Sequence, residues 1–231
     1  MSEVAGEVAR VRDRIAAAAG RAGRRPEEVT LVAVTKGVDL ARIREAVAAG
    51  VTDVGESRVQ EAAPKVAALR AAVRWHLVGH LQRNKAGLAA GLFSVIHSLD
   101  TVRLAEDLSR HAPQPVDALL QVNVAGEPQK FGVAPEGLAV VLRNTGQLPR
   151  LRVIGLMTIA PLHPDPEHAR PIFRRLRTLR DEAAKVLGTA LPHLSMGMSD
   201  DFEVAIEEGA TLVRVGRAIF TPAARNSQEM S

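Results

Sequence analysis

Eight short apolar runs, each followed by a stretch of helical periodicity, predict a single (β/α)8 TIM barrel with an extra N-terminal helix. The alternation continues from residue 30 to the end of the chain, and no shift in composition interrupts it. The first apolar run also lacks the glycine-rich turn that a doubly wound nucleotide-binding sheet would place after it, which makes that fold the runner-up. Residues 1–231 are therefore expected to form one domain, with 1–25 as a helix and loop packed on the barrel.

Residues 3–20 are rich in Ala and Arg at helical spacing, and Gly20 and Gly23 are expected to stop that helix. Strands are expected at 30–35, 52–55, 74–78, 93–98, 116–122, 151–157, 192–195 and 211–214. Helices are expected at 39–49, 57–71, 83–90, 101–111, 135–145, 167–187, 200–208 and 217–223. The loops 126–130 and 161–166 are the longest. They are expected to surround a site at the C-terminal strand ends, where this fold places its chemistry.

Composition narrows the function classes. An apolar fraction of 46% and a charged fraction of 24% are those of an ordinary globular protein. No apolar stretch reaches transmembrane length, and the first residues lack a signal peptide's hydrophobic segment, so a cytoplasmic protein is expected. The absence of cysteine excludes disulfides, iron–sulfur clusters and thiolate zinc sites. The seven histidines are scattered without metal-ligand spacing. His163 and His168 share a proline-rich, solvent-facing loop with Asp165 and Glu167, and no metal is expected.

The formal charge is +4 and the isoelectric point about 10.1, because arginine carries most of the positive charge. The arginines are dispersed. Those at 170, 174, 175, 177 and 180 alternate with Ile172, Phe173, Leu176 and Leu179 as the solvated face of a helix. With no tyrosine, one tryptophan and five phenylalanines, platforms for stacking bases are scarce. Neither nucleic acid nor membrane is an expected partner. A monomer is expected, with a dimer as the alternative.

Chemistry concentrates at the two ends of the chain. Lys36 closes the buried run Leu31–Thr35 and is one of only five lysines. Arginine can carry charge there, but only a primary amine can condense with a carbonyl, and partial desolvation at a strand end would favour its reactive neutral form. A snorkelling or ion-paired lysine is the ordinary reading of such a position. Residues 195–201 and 214–218 each place small residues where a strand gives way to a helix, where free N–H groups can hold a phosphate. Ser195 and Ser199 add hydroxyls, Gly216 permits close backbone approach, and Arg214 has Glu203 or Glu207 as alternative ion-pair partners.

Seven ordered motifs then carry a resemblance that spans essentially the whole chain. They are Ala33–Lys36, Val54–Glu61, Trp75–Lys85, Gln121–Val124, Gly155–Thr158, Ser195–Asp201 and Val213–Gly216. The sequence resembles the pyridoxal 5′-phosphate (PLP) homeostasis proteins, whose fold is like the barrel domain of alanine racemase. The resemblance implies PLP held as a Schiff base on Lys36, a carrier or buffer role without established turnover, and apo-forms of PLP-dependent enzymes as recipients. It implies phosphate contacts from Ser195, Met196, Ser199, Gly216 and the Arg217 backbone, with Arg214 facing the pyridine nitrogen. Ser57, His76, Asn123 and Met157 complete the implied set, although methionines 157, 196 and 198 can equally fill core.

The sequence departs from that pattern where Ser57-Arg58 replaces Asn-Tyr, His80 replaces Pro, and Arg217 replaces Ser or Thr. The rival readings are a PLP-dependent amino-acid racemase and a cofactor-free Schiff-base aldolase. A two-base racemase needs a second proton-transfer group. The chain has no tyrosine, and His76 and His80 are the substitutes on offer, His76 inside a strand being more ordinarily a satisfied core residue.

Overall fold

The computed structural model describes residues 2–69 and 72–221. Its strands are β1 (Thr30–Val34), β2 (Asp53–Glu56), β3 (Arg74–Leu77), β4 (Val95–Leu99), β5 (Val116–Gln121), β6 (Leu151–Met157), β7 (His193–Ser195) and β8 (Leu212–Val215). They form a closed barrel in chain order with every pairing parallel. The helices are α1 (Glu3–Arg21), α2 (Leu40–Ala48), α3 (Val59–Leu69), α4 (Ala86–Leu92), α5 (Val102–His111), α6 (Leu138–Thr145), α7 (Arg170–Leu187), α8 (Phe202–Glu207) and α9 (Arg217–Phe220).

All eight expected strands are present, with ends displaced by a residue or two. The expected helix starts at 83, 135 and 167 are instead single 3-10 turns, over Arg83–Lys85, Pro135–Gly137 and Pro166–Ala169. In two of them a proline occupies a first-turn position, where its missing N–H is tolerated. Residues 70–71 and 222–223, expected to be helical, lie outside the described residues.

Val4, Val8, Val11 and Ile15 form the buried stripe of α1, and the helix packs against α2, α8 and α9. Gly20 does not stop it. The helix runs on to Arg21, and Gly23 at φ +64° lies beyond its end. The basic cluster that follows is structural. Arg24 Nη1 donates to the carbonyls of Ile206 and Ala210 at 2.9 and 2.8 Å, and Arg21 pairs with Glu207. The arginine face of α7 is likewise less solvated than expected, because Arg170, Arg174 and Arg177 converge on the buried Glu208.

Strand alternation divides the core into two layers. Ala33, Val54, Leu77, Ile96, Leu156 and Val213 belong to the layer between strands and helices. Val32, Val95, Leu119, Met157 and Leu212 pack together as a second, separate cluster inside the barrel. Beside them the interior holds fully buried polar groups, which the site depends on.

Candidate functional site

The turn after β1 carries Lys36. Val38 N–H donates to Thr35 O at 3.0 Å, and Gly37 sits at φ +70°, so Thr35–Val38 is a β-turn with glycine where a positive φ is required. Thr35 is pinned through all its polar groups. Its N–H donates to Gly55 O at 2.9 Å, its hydroxyl to Glu56 Oε1 at 2.5 Å, and its carbonyl accepts from Lys65 Nζ at 2.7 Å. Lys65 also pairs with the fully buried Glu56 at 2.7 Å.

Lys36 itself is exposed rather than partly desolvated, and among the described residues it makes no hydrogen bond or ion pair. Lys65 and Lys130, by contrast, are each paired to a glutamate.

Opposite this turn, across the β1–β8 seam, the loops after β7 and β8 meet. Gly216 lies against β1, where an added Cβ would come 3.1 Å from Val34 O. Ser199 Oγ accepts from Ala218 N–H at 3.3 Å and so ties the two loops together. Gly197 holds φ +91°, and a Cβ there would fall 2.6 Å from that of Ala205, so this bend admits only glycine. Asp201, its carboxyl pushed up by burial, accepts from Met198 N–H at 2.6 Å and closes the turn. The Arg217 side chain turns to Asp200.

Arg214 lies one inward position below Gly216, paired in register with Val32. It is buried, and burial pulls its guanidinium down to about 10, still protonated at neutral pH. Neither anticipated acid meets it, since Glu203 pairs with Arg14 and Glu207 with Arg21 and Arg170. Instead Arg214 Nη1 donates to Ser195 Oγ at 2.6 Å and Nη2 to Thr158 O at 2.9 Å. A buried cation held only by neutral oxygens leaves its field available to a ligand.

Below Arg214 lies a chain of polar groups that sequence reasoning only partly foresaw. Ser195 Oγ is 2.8 Å from His97 Nδ1, His97 Nε2 is 2.9 Å from His76 Nδ1, and His76 Nε2 is 2.8 Å from Asp53 Oδ1. Burial pushes both imidazoles below the ordinary 6.5, His97 well below. Burial raises the Asp53 carboxyl, but hydrogen bonds from His76, Thr52 and Arg74 outweigh it and hold it at about 2. His97 and Asp53 were missed. The signal was a histidine in the mostly apolar run Val95–Leu99 and an acid at the start of a buried strand.

The remaining expected residues are dispersed. Ser57 lies half-buried at the mouth, and the adjacent Arg58 pairs with Glu61. Asn123 Nδ2 donates to the carbonyls of Glu127 and Lys130 and folds the loop after β5. Met157 packs inside the barrel, whereas Met196 packs in the outer layer, away from the mouth. His80 stacks on Phe131 with centroids 3.6 Å apart and lies 3.5 Å from Asp100.

A closed barrel of eight parallel strands in chain order, entered through an N-terminal helix, is the architecture of the alanine racemase type of barrel. The family model for the alanine racemase N-terminal domain matches residues 7–223. The chain belongs to this family and, within it, to the pyridoxal phosphate homeostasis proteins. A protein of that name from Aquifex aeolicus is 46% identical over 92% of this chain and 95% of its own length. Another from Pseudomonas aeruginosa is 44% identical over 95% and 96%. The structure of PipY from Synechococcus elongatus with PLP bound is 39% identical, with a TM-score of 0.79 over 89% of this chain and 99% of that one.

Proposed function

We propose that residues 1–231 act as one PLP-binding domain, a cytoplasmic carrier or buffer of the cofactor that captures it at Lys36 and passes it to apo-enzymes. The observation that carries this reading is the unpartnered Lys36 amine at the mouth, beside a loop pair that packs tightly against β1 at Gly216. When bound, the cofactor supplies an aldehyde that condenses reversibly with a primary amine. Ser199 with the backbone of Gly216 and Arg217 would hold the phosphate, Arg214 would face the pyridine nitrogen, and Ser57 and Asn123 would line the rim. His76, Ser195, Met157 and Met196 stand behind these contacts, because their polar atoms or side chains are already engaged in the interior.

The same groups support a non-catalytic role. An arginine cannot readily give a proton to the pyridine nitrogen, which weakens the cofactor as an electron sink. His76 has both ring nitrogens bonded inside the barrel, so it cannot serve as a second base at the mouth. The relatives' names as homeostasis proteins support the same view. Among the described residues no helix is long and apolar enough to cross a membrane. The working unit is proposed to be a monomer.

Borohydride reduction of PLP-loaded protein followed by peptide mapping tests the reading. The adduct is expected on Lys36, with loss of visible absorbance in Lys36→Ala. A Lys36→Ala protein that keeps the full band would overturn it.

A further inference from the structure

The polar chain inside the barrel has a direction. The ionised Asp53 accepts only, so His76 must place its proton on Nε2. With His76 neutral, its Nδ1 is an acceptor and takes the Nε2 proton of His97. His97 Nδ1 is then also an acceptor, and the hydroxyl it faces, that of Ser195, must be the donor. The lone pairs of Ser195 are thereby turned to Arg214, whose Nη1 can only donate. All five side chains are buried away from bulk water, and these contacts alone fix the order of donors along them.

We propose that Asp53, His76 and His97 are positioning residues that act through Ser195 to fix the Arg214 guanidinium beneath the cofactor site. The relay begins at the opposite end of the barrel, where Asp53 and Arg74 open β2 and β3, and ends at the last strand. It also removes Ser195 from the phosphate site, because its single proton is committed to His97. The functional meaning of the relay rests on the proposed placement of Arg214 at the pyridine nitrogen. The proton order does not.

Long-range proton–nitrogen NMR of the cofactor-free protein reads that order directly. Both histidines are expected to carry their proton on Nε2, with bare Nδ1, and to be neutral between about pH 7 and about pH 8. A proton on Nδ1 of either ring, or an imidazolium signal in that range, would overturn the relay. His97→Gln can still accept from Ser195 and donate to His76, whereas His97→Leu can do neither. The leucine variant is expected to broaden the Arg214 guanidinium signals and weaken PLP binding about tenfold, equivalent to loss of one good hydrogen bond, with the glutamine variant near wild type.

A folded leucine variant with unchanged Arg214 signals and affinity would refute the positioning role, and if it fails to fold the wild-type tautomers still decide the relay. A wild-type protein that shows the expected tautomers but takes up no PLP would refute the proposed function alone.

Discussion

Arg214 shows how one side chain can decide what a site is for. It keeps its charge in a buried setting without any carboxylate in contact, an arrangement that packing alone would not favour over an apolar residue of the same volume. Its two hydrogen bonds go to neutral oxygens, so the orientation of the guanidinium is fixed without a carboxylate bonded to it, and Asp201 acts on its charge only through space. Facing a pyridine nitrogen, such a group donates a hydrogen bond but not a proton. Arg214→Glu is therefore expected to protonate the ring of the bound cofactor, shift its absorption, and raise slow background reaction with free amino acids. The visible spectrum and the rate of cofactor loss in the presence of alanine check this, and an unchanged spectrum would place Arg214 elsewhere.

At the scale of elements, the turn after β1 is held from outside the barrel. Glu56 points to the helix side of β2, meets Lys65 from α3, and the pair together anchors Thr35. Glu56 Oε2 is buried without a partner, so the pair is a costly way to fill that space. Its placement one residue before Lys36 gives it a purpose. Glu56→Ala should lower stability by about 3 kcal/mol, since the Lys65 ammonium loses its counter-charge, and should slow PLP capture. The double variant Glu56→Met with Lys65→Met should recover most of the stability, measured by urea denaturation, but not the capture rate.

None of this anchoring was legible in the sequence, although the strands were. Val, Leu and Ala runs such as Leu31–Val34 declare a buried strand whatever surrounds them. Asp53, His76 and His97 lie on three successive strands, and only the stagger between those strands and the shared inward parity of their positions bring their atoms to 2.8–2.9 Å. The small-residue loops at 195–201 and 214–218 were readable because Gly, Ser and strand ends are local signals. Their joining through Ser199 and Ala218 was not, because it depends on β7 and β8 being neighbours.

For the whole molecule, the buried relay makes stability depend on pH in a definite direction. His76 and His97 have folded values below the ordinary 6.5, so the unfolded chain takes up protons first as pH falls. For each such histidine the stability is complete above about 6.5 and declines below it by up to about 1.4 kcal/mol per pH unit. Burial is the largest cause that keeps His97 neutral. Protonation of His76 would oppose a charge on it further, and the fixed positive charges of Arg214 and Arg74 act in the same direction. Asp53 contributes in a separate window, because its stabilisation is present above 3.8 and lost only as pH falls toward about 2.

Between about pH 7 and about pH 5, both histidines should therefore lower the stability, His97 more than His76, with about 2 kcal/mol as the ceiling for either ring. Urea denaturation at the two pH values measures it, and His97→Gln, which cannot titrate, should show a smaller loss, with His76 and the likewise lowered His193 carrying the remainder. A wild-type midpoint that does not move between those values would mean that both rings take up protons inside the barrel. The one-way order of donors from Arg214 to Asp53 would then have to be abandoned.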